Sequence, residues 1–232
     1  MPEQVKNPDE LRDRDEIADD YNERGISFFN LKKYPDAIKE FTKAIKILPQ
    51  DPDYHFNRGL AYYSMRMYEQ AIKDYRDAIE IIPDNADYHN ALGAALEDSG
   101  KAEEAVESFN RAIEKESDIP DFYYNRGNAL FKIGKKEEAL GDYSEAIRLN
   151  NMDQIFVYKR YETLMEMGRF EDALKDIEKA IEISPENGSY YLLKADTLVE
   201  LGKRNEALKT LEEASKFSVD PGEIEERKRK LE

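Results

Sequence analysis

Two histidines, His55 and His89, are the first residues to weigh for chemistry, because imidazole serves both as a metal ligand and as a general base. They stand 34 residues apart, the step at which alanine recurs along the whole chain. They therefore hold equivalent places on successive structural units. Equivalent helices of neighbouring units lie about 8–10 Å apart or more, whereas zinc holds nitrogen at about 2.0–2.1 Å. The pair does not make a metal centre. The chain has no cysteine, which removes thiolate nucleophiles, disulfides and cysteine-based metal sites. No Ser or Thr sits in a nucleophile motif, and no glycine-rich phosphate loop follows a strand. The reading is a non-enzymatic chain with no metal and no cofactor, working through its surface.

Composition narrows which surface. Acidic residues outnumber basic ones 51 to 35, a net charge of −16. Phosphate backbones and anionic membranes are bound by Lys and Arg, so neither nucleic acid nor membrane is an expected partner. The opening Met1-Pro2-Glu3-Gln4-Val5-Lys6 lacks the apolar stretch of a signal peptide. No run approaches the roughly 18 apolar residues of a membrane span. The expectation is a soluble, cytoplasmic protein.

The elements that must present this surface follow from the repeat. Alanine falls on two lines with the same 34-residue step, Ala37, Ala71, Ala105, Ala139, Ala173, Ala207 and Ala44, Ala78, Ala112, Ala146, Ala180, Ala214. A period of that size means stacked supersecondary units rather than one central core. Within Pro52–Asn85, the stretches around Tyr54–Tyr63 and Tyr68–Ile79 each place buried-type residues at three- and four-residue spacing, and Pro83 ends the second. Two antiparallel helices per unit is the economical reading. Gly25, Gly59, Gly93 and Gly127 share one point of the first helix. A helix-interior glycine costs about 1 kcal/mol against alanine, so its recurrence marks a close approach of backbones. Phe41, Tyr75, Phe109 and Tyr143 lie between the two alanine lines, giving way to Ile177 and Leu211. A second line, Tyr54, Tyr88, Phe122, Phe156 and Tyr190, is placed to wedge against the preceding unit, and Gly100, Gly134, Gly168 and Gly202 are placed to close four of the turns.

This pattern resembles the tetratricopeptide repeat over Ala18 to Pro221. The resemblance implies an all-α chain, an α-solenoid of six antiparallel helix pairs wound as a superhelix, with a C-terminal capping helix. The units are 18–51, 52–85, 86–119, 120–153, 154–187 and 188–221, preceded by a charged helical extension over 1–17 that starts at Asn7-Pro8-Asp9-Glu10, and followed by a cap over 222–232. Where the family carries Trp, this chain has Tyr21, His55, His89, Tyr123, Val157 and Tyr191, which makes the histidines rings of the inter-helix core. The fifth unit carries Tyr161 in the glycine place, and the third and fourth lack the closing proline, having Ser117 and Asn151. Irregular geometry is expected at Asn150-Asn151-Met152-Asp153.

The resemblance also implies that the first helices line a concave groove holding a peptide. The residues it places there are Asn22, Phe29, Phe56, Asn57, Tyr63, Asn90, Glu97, Tyr124, Asn125, Asn128 and Phe131. Amides suit the backbone of an extended peptide because each both donates and accepts, and the aromatic rings could receive its apolar side chains. Of the 36 inward positions, eleven are acidic and two basic. Four of the acids, Asp19, Asp53, Asp87 and Asp121, are also expected in the first turn of their helices, where a carboxylate complements the dipole. The rest of the excess is explained equally by a plain solvated face and by a groove that steers a Lys/Arg-rich segment. Relatives that grip the acidic tail of heat-shock proteins use Lys and Asn in the first unit, Asn in the second, and Lys and Arg in the third. Here those places hold Asn22 and Ile26, then Asn57, then Asp87 and Ala91. Only Asn57 matches, which disfavours that role.

The function expected is a protein–protein interaction adaptor binding a partner's peptide segment, possible partners being Lys/Arg-rich. The alternatives are a stoichiometric chaperone or assembly factor for a basic cargo, and a scaffold that associates weakly with itself, the segment Asp9 to Asp20 entering another copy. The packing scheme predicts that Ala112→Leu lowers stability by about 1–3 kcal/mol through overpacking. A thermal melt superimposable on that of the parent protein would refute it.

Overall fold

The computed structural model describes residues 13–231. The described residues form thirteen helices and no strand, in two compact units. In the first, Met1–Ser117, α1 (Arg14–Asn30) pairs with α2 (Tyr34–Ile47), α3 (Pro52–Ser64) with α4 (Tyr68–Ile81), and α5 (Ala86–Asp98) with α6 (Ala102–Lys115). In the second, Asp118–Glu232, the pairs are α7 (Pro120–Lys132) with α8 (Lys136–Leu149), α9 (Gln154–Glu166) with α10 (Phe170–Ile183), and α11 (Gly188–Glu200) with α12 (Arg204–Ala214). There α13 (Pro221–Lys230) covers the last apolar face by burying Ile224 with Leu192, Leu198 and Leu211. Within each unit successive pairs stack, the local geometry of an α-solenoid.

The Asn7 helix start lies outside the described residues. Helix α1 already runs from Arg14, so its first-turn acids are Asp15 and Glu16, and Asp19 falls beyond that turn. The dipole accounts for Asp53, Asp87 and Asp121 but not for Asp19. A line of caps accompanies the repeat: Asp51, Asn85, Asp153 and Asn187 each accept a backbone N–H of the following helix through the side chain. These caps satisfy donors that a helix start leaves unpaired. The equivalent Ile119 makes no such bond, and the division between the two units falls beside it, after Ser117. At Asn150–Asp153, by contrast, a turn carries the chain directly into the Asp153-capped start of α9.

The first helix of a pair meets the second where glycine faces an aromatic ring sixteen residues on. A Cβ built at Gly25 would lie 2.5 Å from the Phe41 ring, and at Gly59 2.6 Å from Tyr75. The same holds at Gly93 against Phe109, 2.6 Å, and at Gly127 against Tyr143, 2.7 Å. In the fifth repeat the sizes are exchanged, buried Tyr161 standing opposite buried Ile177. The sixth uses Ala195 and Leu211, also buried. The turns between paired helices need a left-handed residue, which is Gly100, Gly134, Gly168 and Gly202. Lys32 and Arg66 take the same conformation at φ 58 in the first two repeats, where a Cβ is a cost.

Beside each of these contacts, four repeats place a charge pair. Arg58 donates to both oxygens of Asp74 at 2.7 and 2.8 Å. Arg126 grips Asp142, and Arg160 grips Asp176, at 2.6 and 2.8 Å each. Arg24 lies 3.7 Å from Glu40. Arg58 and Arg160 also donate to Thr42 and Ser144 of the preceding repeat, so one guanidinium ties three helices. The hydrogen bonds that Arg126 and Arg160 donate to Asp142 and Asp176 push their own pKa values above the ordinary range. Repeat three has Leu92 and Ser108 at these places, and repeat six has Lys194, which turns to Glu178 at 2.8 Å.

Two outcomes are expected. Gly93→Ala costs about 1–3 kcal/mol by overpacking, and adding Phe109→Leu recovers part of it, read as a coupling energy in a double-mutant cycle of chemical denaturation. Purely additive losses would mean that the contact does not set the helix spacing. Arg160→Leu alone strands the buried Asp176 and costs about 3 kcal/mol, whereas Arg160→Leu with Asp176→Ser, copying repeat three, costs much less. Equal melting temperatures for the single and double variants would exclude the ion-pair account.

Candidate interaction surface

The first helices α1, α3 and α5 of unit one carry the positions read as inward-facing. Asn57 Nδ2 donates to Asn22 Oδ1 at 3.0 Å, linking α3 to α1. An amide offers two N–H donors and a carbonyl with two lone pairs, so this bond takes only part of the pair's capacity. Phe56 is half-buried, its ring centre 4.9 Å from Tyr88 and 5.6 Å from Tyr75. Phe29 meets Tyr34 edge-on at 5.4 Å, and Tyr63 lies 5.7 Å from Tyr68. Asn90 and Glu97 are half-buried on α5. These rings already pack against neighbours and present only part of their surface.

In unit two, Tyr124 lies 5.3 Å from Phe156 and 6.2 Å from Tyr143. Asn128 Oδ1 accepts from the Tyr143 hydroxyl at 3.0 Å, which ties that amide to the core. Phe131 has the Lys136 ammonium 5.6 Å from its ring centre, and Asn125 is half-buried beside them. The two histidines differ. His55 is buried, 7% exposed, in keeping with a core ring, but His89 is only half-buried. It lines an open cleft of about 550 Å³ with Arg76, Leu92, Ser108 and Arg111, where repeat three lacks the Arg–Asp pair.

The carboxylates of unit one are ordered in a way that a reading of apolar spacing missed. The Tyr54 hydroxyl donates to Asp19 at 2.6 Å and the Tyr88 hydroxyl to Asp53 at 2.7 Å, each from one first helix to the preceding one. The Tyr63 hydroxyl donates to Asp98 of the following helix at 2.6 Å. Burial first, and then the accepting carboxylate, push all three phenol pKa values well above the usual phenolic range. The hydroxyls stay protonated and the acids stay held. The positions of the first three repeats read from the resemblance as inward, which also include Glu23, Asp87 and Glu97, contain six acids and no Lys or Arg. The signal in the sequence is an acid directly before the tyrosine line, as in Asp53-Tyr54, which puts each acceptor 35 residues before its tyrosine, one more than the 34-residue step.

Comparison with known proteins agrees with this architecture. Tetratricopeptide repeat family models match residues 52–85 and 120–152, 25–65 and 98–134, and 164–224, together more than half of the chain. A 41-residue stretch is 46% identical to Hsp70-Hsp90 organizing protein 2 of Arabidopsis thaliana, covering 18% of this chain and 7% of that protein. Among solved structures, MamA is 26% identical with a TM-score of 0.66, over 78% of this chain and 95% of its own. YrrB, described as a TPR protein with an unusual peptide-binding site, is 23% identical with a TM-score of 0.68, over 82% and 97%. Pseudomonas aeruginosa pilF is 20% identical with a TM-score of 0.72, over 94% and 99%. The last two likenesses speak for the fold alone. No described helix is long and apolar enough to cross a membrane. With its 34-residue helix pairs, its glycine-to-ring contacts and these matches, the chain belongs to the tetratricopeptide repeat family, a helical scaffold of the protein-binding class.

Proposed function

We propose that the chain is a non-enzymatic adaptor whose unit one holds an extended, Lys/Arg-bearing segment of a partner protein along α1, α3 and α5. The observation that carries this reading is the set of six acids at inward positions with no basic residue among them, three held by tyrosine hydroxyls. Acids already held in place lose little freedom when a cation arrives, and their summed field speeds its approach. Between them the Asn22–Asn57 amide pair supplies donors and acceptors for the peptide backbone. Tyr124, Asn125, Asn128 and Phe131 are a separate patch on unit two, offered to the same kind of ligand.

The relative named for organizing heat-shock proteins raises their acidic tails as an alternative ligand. Asp87, Glu97 and Asp98 on α5 oppose an anion where it would need a cation. A basic, aggregation-prone cargo held by charge alone is a further competitor, beside self-association, and salt separates it from the adaptor reading. Backbone reading survives at about 0.5 M salt better than pure charge attraction, because screening shortens to a few ångströms.

The test is fluorescence anisotropy with labelled extended peptides carrying Lys, Glu or Gln at alternate positions. The Lys peptide binds, the Glu peptide does not, and Asn22→Ala with Asn57→Ala weakens binding about tenfold, or roughly 1.4 kcal/mol. Indifference to peptide charge would sink the acidic-face reading, and an unaffected amide variant would remove the amides from it.

A further inference from the structure

We infer that the second repeat carries a divalent-metal site of its own, built from His55 on α3 and Asp74 and Asp77 on α4, apart from the surface proposed for peptides. His55 Nε2 lies 3.0 Å from the Pro49 carbonyl oxygen. A carbonyl only accepts, so Nε2 carries the proton and Nδ1 presents a lone pair. That Nδ1 is buried and has no hydrogen-bond partner. It points at carboxylates: Asp77 Oδ2 is 3.7 Å away, and ligand atoms of His55, Asp74 and Asp77 lie within 4.8 Å of one another. Three electron-rich groups thus face one another within 4.8 Å, an arrangement that a cation between them would satisfy.

The donor set defines the cation. One imidazole nitrogen and two carboxylate oxygens suit zinc, cobalt or nickel rather than a soft thiolate-seeking ion. Around tetrahedral zinc with bonds of about 2.0–2.1 Å, two ligands stand about 3.3–3.4 Å apart, close to the gap already present between His55 and Asp77. The Pro49 carbonyl supplies the second-nitrogen hydrogen bond that a metal-bound histidine usually makes. Arg58 fixes Asp74 through both oxygens and offsets one of the two negative charges, leaving each Asp74 oxygen a further lone pair for the ion. Asp77, 35% exposed at its side chain, gives the ion a way in and leaves room for water in the fourth position.

The chain holds its own control one repeat later. His89 Nε2 is 2.8 Å from the Pro83 carbonyl oxygen, the same anchoring. Ser108 and Arg111 stand where Asp74 and Asp77 stand in repeat two, so the imidazole recurs without the acids. The other repeats have Tyr21, Tyr123, Val157 and Tyr191 in the histidine place. The ligands therefore come from one helix pair, at offsets of 19 and 22 residues, and not from the two histidines together.

The test is calorimetric titration of Zn²⁺ into chelator-treated, dialysed full-length protein. One saturable equivalent is expected. His55→Gln and the gentler Asp77→Asn each weaken it by about tenfold or more, with circular dichroism confirming that both stay helical. Ser108→Asp with Arg111→Asp adds a second equivalent around His89. Absence of saturable binding up to about 1 mM Zn²⁺ would mean that a proton or a water satisfies Nδ1, and would overturn the site. Binding left unchanged by both repeat-two variants would overturn it equally, assigning the zinc to scattered surface carboxylates.

Discussion

The distance between the two helices of a pair is set by a ring lying directly on a backbone. At Gly25, Gly59, Gly93 and Gly127 a single added carbon would sit inside the partner ring's contact distance, so the helices are as close as matter allows. Everything adjacent inherits that spacing. Arg58 precedes Gly59 and Asp74 precedes Tyr75. The contact that fixes the helix separation therefore also brings guanidinium to carboxylate at 2.7 Å. The paired charges are a consequence of the packing, and repeat three, with Leu92 and Ser108, closes the same ring-on-glycine contact without them. Buried ion pairs roughly break even against apolar substitutes, which agrees with a fold that uses them in some repeats and omits them in others.

The fifth and sixth repeats show that the constraint is on volume and not on glycine as such. Tyr161 opposite Ile177 puts the ring on the first helix, and Ala195 opposite Leu211 divides the bulk between both. Tyr161 then finds partners for its hydroxyl, the Leu193 carbonyl oxygen at 3.2 Å and the Thr197 hydroxyl at 3.1 Å, as a buried phenol requires. Seen from the first helix alone, Tyr161 is a departure. Taken with residue 177 it obeys the same sum of sizes, since a core keeps its shape under swaps that conserve volume.

This explains which parts of the molecule were legible in the sequence. Apolar and small residues announce themselves by period, so the helix pairs, the close approaches at glycine and the terminal cover of α13 could be read directly. Polar residues share that period, as Arg24, Arg58, Arg126 and Arg160 do, but the period does not say which acid each one meets. The Arg58–Asp74 pair joins residues sixteen apart, and Tyr54 reaches back thirty-five residues to Asp19. Recognising either requires knowing which faces meet. Helix before Ala18 was legible as a charged extension, but its continuity with the first repeat helix was not, so Asp19 looks like a first-turn acid when α1 is already under way from Arg14. The inward aromatics were legible as residues but not as environments: Phe56 lies between Tyr75 and Tyr88, contacts that only the packed stack creates.

The tyrosine ladder separates what folding needs from what it does not. In unit one, tyrosines of one first helix donate to Asp19 and Asp53 of the preceding one. In unit two, the Tyr190 hydroxyl donates at 2.7 Å to the uncharged side-chain carbonyl of Gln154, one residue before Ile155, which holds the Asp19 and Asp53 place. A tyrosine at this joint requires an acceptor within reach, and an amide serves, while Phe122 and Phe156 fill the same line with no hydroxyl to satisfy. A negative charge strengthens the bond but adds repulsion among neighbouring acids and a desolvation cost. Asp19 lacks even the helix-dipole rationale, lying beyond the first turn of α1. The charge on Asp19 thus has neither a dipole to complement nor a joint that needs it, whereas Asp53 complements the start of α3. The proposed basic partner therefore draws its support from Asp19 and from the absence of Lys and Arg beside the six acids, and not from the tyrosine bonds themselves.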